Sequence, residues 1–372
     1  MYYQYNKPNE MPFEPIRRKR TEGPFRQTVL RTIAIASTCI GIALLTYSAT
    51  FTSHSDQTTA LNAIITYSDL DNHTISDLFD EFKQTYHKEY NTTDEEVLRY
   101  NNFRDFLYRV DQRNDNDSYA VHGITKFADL SQEEFKNTFL GYQPPQNNNA
   151  KIASTPAYDG SDTVVNWANI YTTAVKDQGY CGSCWAFSAT EQIESDSIRL
   201  GLLTTNDTLS PEQIVQCDSV DEGCNGGNTA TAFEYVRTTG GIERDNEYPY
   251  TSYYDVTGTC NSNSSDYVVT VDEYYLITDE SSMMSHIFST GPISICLDAS
   301  SWSSYVSGII TTCGDEVDHC VQAVGLNKGE GYWIVRNSWG TEWGNEGYIW
   351  LEYGSNMCNI AYDPKYVETV LV

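Results

Sequence analysis

The segment QGYCGSCWAF at residues 178–187 decides the interpretation of this chain, because it places Cys184 directly before an apolar, helix-forming stretch. Gln178 stands six residues before that cysteine. A thiol at the N-terminus of a helix lies at the positive end of the helix dipole, which favours the thiolate over the thiol. The thiolate is the nucleophilic form of cysteine, so the segment predicts a reactive sulfur.

A nucleophilic sulfur that hydrolyses amides also needs a base, which later protonates the leaving amine, and donors for the oxyanion. Only two histidines follow residue 160. His319 comes after an aspartate at the start of a strand-like run, whereas His286 falls in an expected helix and suits a structural role. Asn337 begins the sequence NSWG after a second strand-like run. His319 is therefore the expected base.

Cys181 and Cys184 have a spacing that also occurs in zinc sites and redox-active pairs. A zinc site needs a second closely spaced pair, and Cys217 and Cys224 are too far apart for the usual ribbon. A redox pair of the thioredoxin kind has a tryptophan before its first cysteine, whereas Trp185 follows the second. Both alternatives, and a merely structural role for Cys184, are disfavoured, and no metal site or cofactor is expected.

The order and spacing of these motifs resemble the papain family of cysteine peptidases, most closely its cathepsin L-like branch. His319 and Asn337 follow Cys184 by about 135 and 153 residues, near the separations typical of that family. The resemblance covers about residues 75–372. It implies an α+β, papain-like two-lobe fold, with a helical lobe, a β-barrel-like lobe and a cleft between them, preceded by a small helical propeptide.

Local signals agree with this fold. Residues 185–235 carry helix signals, and Ser210, Pro211 and Gln213 combine an N-cap, a proline at the first helical position and a capping-box glutamine. The later part alternates apolar and polar residues between glycines, which predicts strands at 267–277, 292–297, 320–326, 332–337 and 348–353.

The resemblance implies a role for each site residue. Cys184 and His319 would form a thiolate–imidazolium pair, and Asn337 would orient the imidazole. The side-chain amide of Gln178 and the backbone N–H of Cys184 would form the oxyanion hole. Trp339 would shield the contact between His319 and Asn337 from water. The expected substrate-binding residues are Gly227, Asn228, Thr229, Cys296, Val317, Asp318, Cys320, Trp339 and Asp363.

Asp363, five residues after Cys358, would lie at the base of the pocket for the side chain two positions before the scissile bond. A carboxylate there can pair with Arg or Lys. The pocket is therefore expected to accept basic as well as apolar side chains. The alternative is that Asp363 points to solvent, because Pro364 follows immediately.

Nine of the ten cysteines follow residue 180, which points to an oxidising compartment. The resemblance implies the disulfides Cys181–Cys224, Cys217–Cys260 and Cys313–Cys358. Besides Cys184, it leaves Cys296 and Cys320, which are either free thiols or an additional bridge. An oxidising lumen favours the bridge.

Residues 75–140 resemble the propeptides of cathepsin L-type enzymes. The matching residues share roughly one helical stripe: Glu95, Arg99, Phe103, Val110 and Asn114. Phe106 stands where that pattern has Asn, and the run GITKFAD at 123–129 resembles the second propeptide motif with Thr125 in place of Asn. The family's propeptide runs through the cleft in the reverse direction, so this region would inhibit in cis. Residues 141–160 form a polar linker, the expected place of activating cleavage, before a catalytic domain at 161–372.

The N-terminus predicts a membrane anchor. Residues 32–51 carry no charge and are rich in Ile and Leu, and six Lys or Arg residues precede them within residues 17–31. That asymmetry predicts a cytosolic basic tail at 1–31, a signal anchor at 32–51 and a lumenal spacer at 52–74. A cleaved signal peptide is the alternative.

The net charge of −28 argues against a nucleic-acid partner, because phosphates require clustered Lys and Arg. Five Asn-x-Ser/Thr sequons fit a secretory route: Asn72, Asn91, Asn116, Asn206 and Asn263. We therefore expect a membrane-anchored precursor in the secretory pathway and a mature enzyme in a lysosomal or vacuolar lumen or outside the cell.

The leading hypothesis is a monomeric cysteine endopeptidase, made as a zymogen, that hydrolyses proteins and peptides in an acidic lumen. Some relatives keep the fold but lose the nucleophile and act as binding proteins, and the intact Gln178, Cys184, His319 and Asn337 argue against this. A receptor-like membrane protein with a peptidase-shaped ectodomain is a third possibility. It predicts no processing in the linker.

Overall fold

The computed structural model describes residues 66–145, 150–155 and 158–372. The chain divides into a unit of residues 1–66 and a unit of residues 67–372, and every element named below belongs to the second. The expected cytosolic tail, signal anchor and most of the spacer lie outside the described residues. Within the described ranges, no helix is long and apolar enough to cross a membrane.

The expected propeptide is built mainly from three helices: α1 (Asn72–Thr85), α2 (Thr93–Asn116) and α3 (Gln132–Phe139). Each begins after an N-cap residue whose side chain accepts a hydrogen bond from a backbone N–H of the first turn. The N-cap residues are Asp71, Thr92 and Ser131 respectively. The apolar faces of α1 and α2 bury a shared core that includes Phe79, Phe82, Phe103, Phe106 and Val110. Phe106, the departure from the family pattern, thus packs in that core.

A second group of helices forms one lobe: α4 (Cys184–Arg199), α5 (Pro211–Cys217) and α6 (Thr229–Thr239). The predicted helix start at Cys184 is confirmed, and fourteen of the sixteen residues of α4 are buried. The first turn of the helix is apolar, whereas its later turns bury polar side chains such as Glu191, Gln192 and Glu194, which need partners inside the protein.

The predicted N-cap at Ser210 is confirmed, since its side chain accepts a hydrogen bond from the backbone of Gln213. The reciprocal half of the predicted capping box is wrong. The Gln213 side chain instead donates to the carbonyl of Gly241 at 3.1 Å and accepts from the backbone N–H of Glu243 at 2.7 Å. The buried backbone groups of Gly241 and Glu243 need hydrogen-bond partners, and the Gln213 amide binds them instead of the N-terminus of the helix.

Among the residues that the structure describes, ten strands form one mostly antiparallel sheet: β1 (Ala120–His122), β2 (Lys151–Ile152), β3 (Val164–Asn166), β4 (Val269–Leu276), β5 (Ile293–Leu297), β6 (Tyr305–Ile310), β7 (His319–Asn327), β8 (Tyr332–Arg336), β9 (Tyr348–Glu352) and β10 (Lys365–Leu371). Their order is β1-β6-β9-β8-β7-β5-β10-β4-β2, and β3 pairs with β7. The seventh helix, α7 (Glu280–Ser289), precedes β5 and buries His286, as expected for a structural histidine. All five predicted strands are present.

Two large hydrophobic clusters form the interior. One contains Cys184 and Trp185 with α5 and α6, and the other contains Trp302, Trp333 and Trp339 among the strands. The expected nucleophile therefore belongs to one cluster, and the tryptophan two residues after Asn337 belongs to the other. This is the α+β, two-lobe arrangement that the resemblance implied.

The N-terminal helical region docks on the sheet. Strand β1 pairs antiparallel with β6, so a strand from this region extends the sheet at one edge. Arg113 of α2 donates to the hydroxyls of Ser303 and Ser304 at 3.1 and 2.6 Å. The contacts are specific hydrogen bonds, so the region is held in a fixed position.

The described part of the chain contains four disulfides. Three are the pairs that the resemblance implied: Cys181–Cys224, Cys217–Cys260 and Cys313–Cys358. The fourth joins Cys296 of β5 to Cys320 of β7, which face each other across the two strands. The favoured alternative, an additional bridge, is thus the one observed. Among the described residues Cys184 is the free cysteine.

Candidate active site

Cys184 is the first residue of α4 and is completely buried. Its Sγ accepts a hydrogen bond from the backbone N–H of Gly141 at 3.4 Å. The backbone N–H of Cys320, the residue after His319, also lies against the sulfur. The first residue of β7 therefore stands beside the N-terminus of α4, although the two are far apart in sequence.

His319 and Asn337 meet because β7 and β8 are antiparallel neighbours. Nε2 of His319 lies 2.9 Å from Oδ1 of Asn337. That oxygen also accepts the backbone N–H of Ser338 at 2.8 Å, so it is the acceptor and Nε2 carries the proton. Nδ1 has no hydrogen-bond partner among the described residues. The imidazole is thus held in the tautomer whose second nitrogen can accept a proton.

Aromatic rings enclose this histidine. The ring of Trp339 lies 4.8 Å from that of His319, and Trp302 approaches edge-on at 6.1 Å. Both tryptophans are fully buried. They lie between the hydrogen bond of His319 and Asn337 and neighbouring parts of the core, a position that fits the shielding role predicted for Trp339.

The propeptide adds a further aromatic layer on this side. Phe127, Phe135 and Phe139 place their rings 5.2, 5.4 and 6.4 Å from that of Trp339. Edge-to-face contacts of this kind stabilise by about 0.5–1.5 kcal/mol each beyond the area buried. The helix α3 is therefore fixed over the site by the tryptophan that covers the imidazole.

Burial shifts the protonation of both groups toward the neutral forms. It raises the pKa of Cys184 to about 11, against smaller contributions from the amides of Cys320 and Gly141. It lowers the pKa of His319 to about 4, partly opposed by the hydrogen bond to Asn337. While the propeptide covers the site, a thiol and a neutral imidazole are favoured over a thiolate and an imidazolium.

Gln178 presents its amide to the propeptide. Its Nε2 donates to the carbonyl of Phe139 at 3.1 Å and to that of Cys181 at 2.8 Å. The hydroxyl of Ser338 donates to its Oε1 at 2.7 Å and fixes which way the amide points. A main-chain carbonyl of the propeptide therefore accepts a hydrogen bond from the amide that was expected to stabilise an oxyanion.

The propeptide backbone continues along the cleft as an extended segment. Gly227 donates its N–H to the carbonyl of Gly141 at 2.9 Å and accepts the N–H of Gln143 at 2.8 Å. Between these, Tyr142 donates its N–H to the carbonyl of Asp318 at 3.0 Å. Residues 141–143, which their composition assigned to the linker, thus lie in the cleft. They are held there by main-chain hydrogen bonds, which do not depend on side-chain type and therefore leave no signal in the sequence.

The side chain of Tyr142 enters the expected substrate pocket. It packs against the hydrophobic cluster that includes Cys296 and Cys320, and its ring lies 6.3 Å from that of Tyr362. Burial, and then the charge of Asp363, raises the pKa of its phenol. The expected pocket residues Cys296, Cys320 and Asp363 therefore surround a tyrosine of the protein itself.

The remaining expected pocket residues lie close by. Asn228 donates its side-chain amide to the carbonyl of Gln143 at 3.2 Å and also caps α6, where Thr229 is the first residue. Val317 is partly buried against the same cluster. Asp318 contributes its carbonyl, as described above, while its Oδ1 accepts the N–H of Ala299 at 2.9 Å. Burial raises the pKa of Asp318 to about 7.

Asp363 does not point to solvent, since it is 5% exposed. That its carboxylate pairs with an incoming basic side chain stays a prediction, but the structure gives this carboxylate a partner within the chain that the sequence interpretation did not include. Its Oδ1 forms an ion pair with Nζ of Lys365, which is completely buried. Burial lowers the pKa of Lys365, and the carboxylate of Asp363 opposes this. A cation from the chain itself already neutralises the base of the pocket.

The sequence interpretation missed Ser338, which holds Gln178, and Lys365. Ser338 follows Asn337 directly, so the NSWG motif contained the signal without assigning it a role. Lys365 follows Asp363 by two residues, and opposite charges so close in sequence suggest a pair only once both are known to be buried. Among the described residues, no cluster of potential metal ligands occurs.

The fold and this geometry describe a thiol and an imidazole between two lobes, covered by an N-terminal helical region. Comparison with known families assigns them: residues 162–368 match the papain family cysteine protease, and residues 79–135 match the cathepsin propeptide inhibitor domain. The chain therefore belongs to the papain family of cysteine proteases. It is a cysteine endopeptidase made as a zymogen with its own propeptide.

Individual relatives agree. The chain is 38% identical over 302 residues to "Cysteine proteinase B" of Leishmania mexicana, covering 77% of this chain and 68% of that protein. It is 34% identical over 291 residues to "Viral cathepsin" of Choristoneura fumiferana nuclear polyhedrosis virus, covering 76% and 88%. Digestive procathepsin L2 proteinase from Tenebrio molitor larval midgut has a TM-score of 0.72 at 28% identity, covering 79% and 99%. The papain-like fold with a helical propeptide is thereby confirmed.

Proposed function

We propose that Cys184 is the nucleophile, His319 the general base and acid, and Asn337 the residue that orients the imidazole. The observation that carries this proposal is the hydrogen bond of 2.9 Å between His319 Nε2 and Asn337 Oδ1. It leaves Nδ1 as the proton acceptor on the strand end that lies beside the Cys184 sulfur. This combination of a thiol, a base and an orienting group is the general requirement for a covalent thiol peptidase.

The proposed reaction begins when the propeptide leaves and water and substrate enter. His319 takes the proton of Cys184, and the thiolate attacks the carbonyl carbon of the scissile bond. The amide of Gln178 and the N–H of Cys184 stabilise the oxyanion. His319 then donates its proton to the leaving amine, and a water molecule, deprotonated by the same imidazole, hydrolyses the thioester.

We further propose that the pocket around Tyr142 receives the substrate side chain two positions before the cut, with Gly227 pairing with the substrate backbone as it pairs with Gly141 and Gln143. Activating cleavage is proposed within residues 158–165. Residues 159–164 are all exposed, which is what a protease requires of a cleavage site. The proposed setting is an acidic lumen reached through the secretory pathway, with the N-terminal segment as membrane anchor.

Replacement of the nucleophile tests the assignment. Cys184→Ala should abolish both peptide hydrolysis and covalent labelling by an epoxide inhibitor after acid treatment, while His319→Ala should lower kcat/KM by orders of magnitude. Because Cys184→Ala cannot process itself, immobilised active wild-type enzyme removes its propeptide and is separated from the sample before the assay. Ser183→Ala, which changes the preceding residue, serves as the matched control and should retain labelling.

Labelling that persists in Cys184→Ala, or that maps to Cys296 or Cys320, would contradict the proposed nucleophile. Circular dichroism and thermal unfolding of the Cys184→Ala zymogen confirm that the protein is folded. The loss of activity then reports on chemistry.

A further inference from the structure

The pocket beside Gly227 contains a side chain of the protein itself, and this identifies the kind of substrate it fits. Tyr142 lies on the extended propeptide segment that pairs with Gly227. Its hydroxyl is buried near the charge of Asp363 and the side chains of Tyr362 and Asn228, and among the described residues it has no hydrogen-bond partner, so it does not bond to Asp363. The pocket therefore encloses a neutral aromatic side chain with a polar end.

The two oxygens of the Asp363 carboxylate, at the base of this pocket, have different surroundings. Its Oδ1 pairs with Lys365, whereas its Oδ2 is buried without a hydrogen-bond partner among the described residues. A buried, unpartnered carboxylate oxygen is an acceptor that a hydroxyl group can satisfy without bringing in a charge.

Lys365 cannot leave this pair for solvent. It is the first residue of β10, an interior strand, and it is paired with Leu276 of β4 on one side and Ser294 of β5 on the other. Its side chain is completely buried. An arginine that took Asp363 away from Lys365 would leave a buried ammonium group without a counterion, and this cost opposes the new pair.

Building on the proposed function, we propose that Lys365 makes this enzyme select tyrosine, and reject basic residues, two positions before the cut. Lys365 neutralises Asp363 through Oδ1, which leaves Oδ2 free to accept a hydrogen bond from the phenol of a substrate, a bond that Tyr142 itself does not make. In the zymogen Tyr142 supplies the same kind of side chain, so the propeptide inhibits partly by filling the pocket with a substrate-like group. Lys365 is a positioning residue, because it acts through Asp363.

Three peptide substrates that differ only at this position, with Tyr, Phe or Arg, test the proposal on the acid-activated enzyme. The wild type should cleave the Tyr peptide about tenfold faster than the Phe peptide in kcat/KM, since a hydrogen bond to a charged group is worth roughly that factor or more. The Arg peptide should be the poorest. The proposal would be overturned if the Arg peptide or the Phe peptide were cleaved as fast as the Tyr peptide or faster.

Lys365→Met tests the positioning role. It removes the internal cation, so cleavage of the Arg peptide relative to the Phe peptide should rise by about tenfold to a hundredfold. A loss of packing alone would lower kcat/KM for the Arg and Phe peptides by the same factor and leave their ratio unchanged. An unchanged ratio in a folded, titratable variant would overturn the role of Lys365.

The double variant Lys365→Met/Asp363→Asn is the matched control, because it removes both charges and leaves no buried ion alone. Its ratio of Arg to Phe cleavage should stay within about threefold of the wild type. A tenfold fall would show that Asp363 already serves basic substrates in the wild type, which contradicts the proposal even if Lys365→Met does not fold. Titration with an epoxide inhibitor counts active sites in every sample. A wild type that does not titrate refutes the proposed function, whereas one that titrates but prefers Arg refutes only this inference.

Discussion

At the scale of single residues, Gln178 connects catalysis and latency through one amide group. Its Nε2 donates to the carbonyl of Phe139 in the zymogen, and after activation it is proposed to donate to the oxyanion. The same preorganised donor therefore binds a propeptide carbonyl and a developing charge. Ser338 keeps the amide in this orientation by donating to Oε1.

Gln178→Ala should lower kcat of the activated enzyme by about a hundredfold to a thousandfold, as loss of one oxyanion donor typically does. Ser338→Ala, which only frees the amide to rotate, should cost about tenfold by the same reasoning. Single-turnover kinetics on enzyme counted by active-site titration provides the measurement. If the two variants lose equal activity, or if Gln178→Ala keeps more than a tenth of kcat, the amide is not the oxyanion donor.

The residues proposed to carry out the chemistry could be predicted from the sequence because each has a restricted type and spacing. Cys184, His319, Asn337 and Gln178 stand in motifs whose order alone distinguishes them from other residues of the same kind. Lys365 could not be predicted. Whether its charge reaches Asp363 depends on the burial of both side chains beside the interior strand β10, and such burial results from the tertiary fold.

At the scale of elements, the segment after α3 shows why a short extended piece can inhibit. Gly141 passes so close to the nucleophile loop that a Cβ atom on it would lie 1.8 Å from the carbonyl oxygen of Gly182. Neither side of that contact is a side chain that could rotate away. The segment is thus held by close approach of two backbones, which requires glycine.

Gly141→Ala should therefore weaken latency. Forcing an extra carbon into a close-packed contact costs about 1–3 kcal/mol, so activity of the unprocessed zymogen at neutral pH should rise about tenfold to a hundredfold. A fluorogenic peptide assay on uncleaved protein, with gels to confirm its length, provides the measurement. Gly123→Ala is the control, since its nearest neighbour is the end of the Val306 side chain at 3.2 Å, which can move. Equal latency in both variants would contradict the backbone contact.

The strands show where element prediction ends. Strands β7 and β8 are long apolar runs bounded by turns, and their pattern predicts them from sequence alone. Strand β1 has three residues and gains its extended form from pairing with β6. A three-residue strand contains too little periodicity to detect, so this contact between propeptide and sheet required the structure. Strand β10 was missed because the prediction ended at residue 353.

At the scale of the whole molecule, acid should release the propeptide through a histidine at the docking surface. His122 on β1 is 5% exposed, and its Nδ1 lies 3.0 Å from the hydroxyl of Ser304. Burial and then the charge of Arg113 lower its pKa to about 4, partly opposed by Asp117. Once undocked, the imidazole regains its usual pKa near 6.5.

The direction of the pH effect follows from this difference. The undocked form binds a proton more readily, so docking is fully stable above about pH 6.5 and loses stability as the pH falls toward 4. The total loss is about 3 kcal/mol, which corresponds to a shift of more than a hundredfold in the docking equilibrium. Glu134 acts in the same direction at lower pH. Burial raises the pKa of Glu134, but the amide of Ser131 and the charge of Arg99 together outweigh burial, so the pKa is lowered overall. Protonation of Glu134 at low pH therefore weakens its contact with Arg99, which joins α2 and α3.

His122→Gln should consequently move the midpoint of acid activation to lower pH by about half a unit or more, because the amide can still bond to Ser304 but cannot take up the proton. The midpoint is read from the appearance of the mature fragment and of peptidase activity across a series of buffers at constant ionic strength. His73→Gln, at an exposed position on α1, is the control and should activate as the wild type does. If His122→Gln and His73→Gln activate at the same pH, release of the propeptide depends on its carboxylates and on other groups, and the proposed role of His122 is wrong.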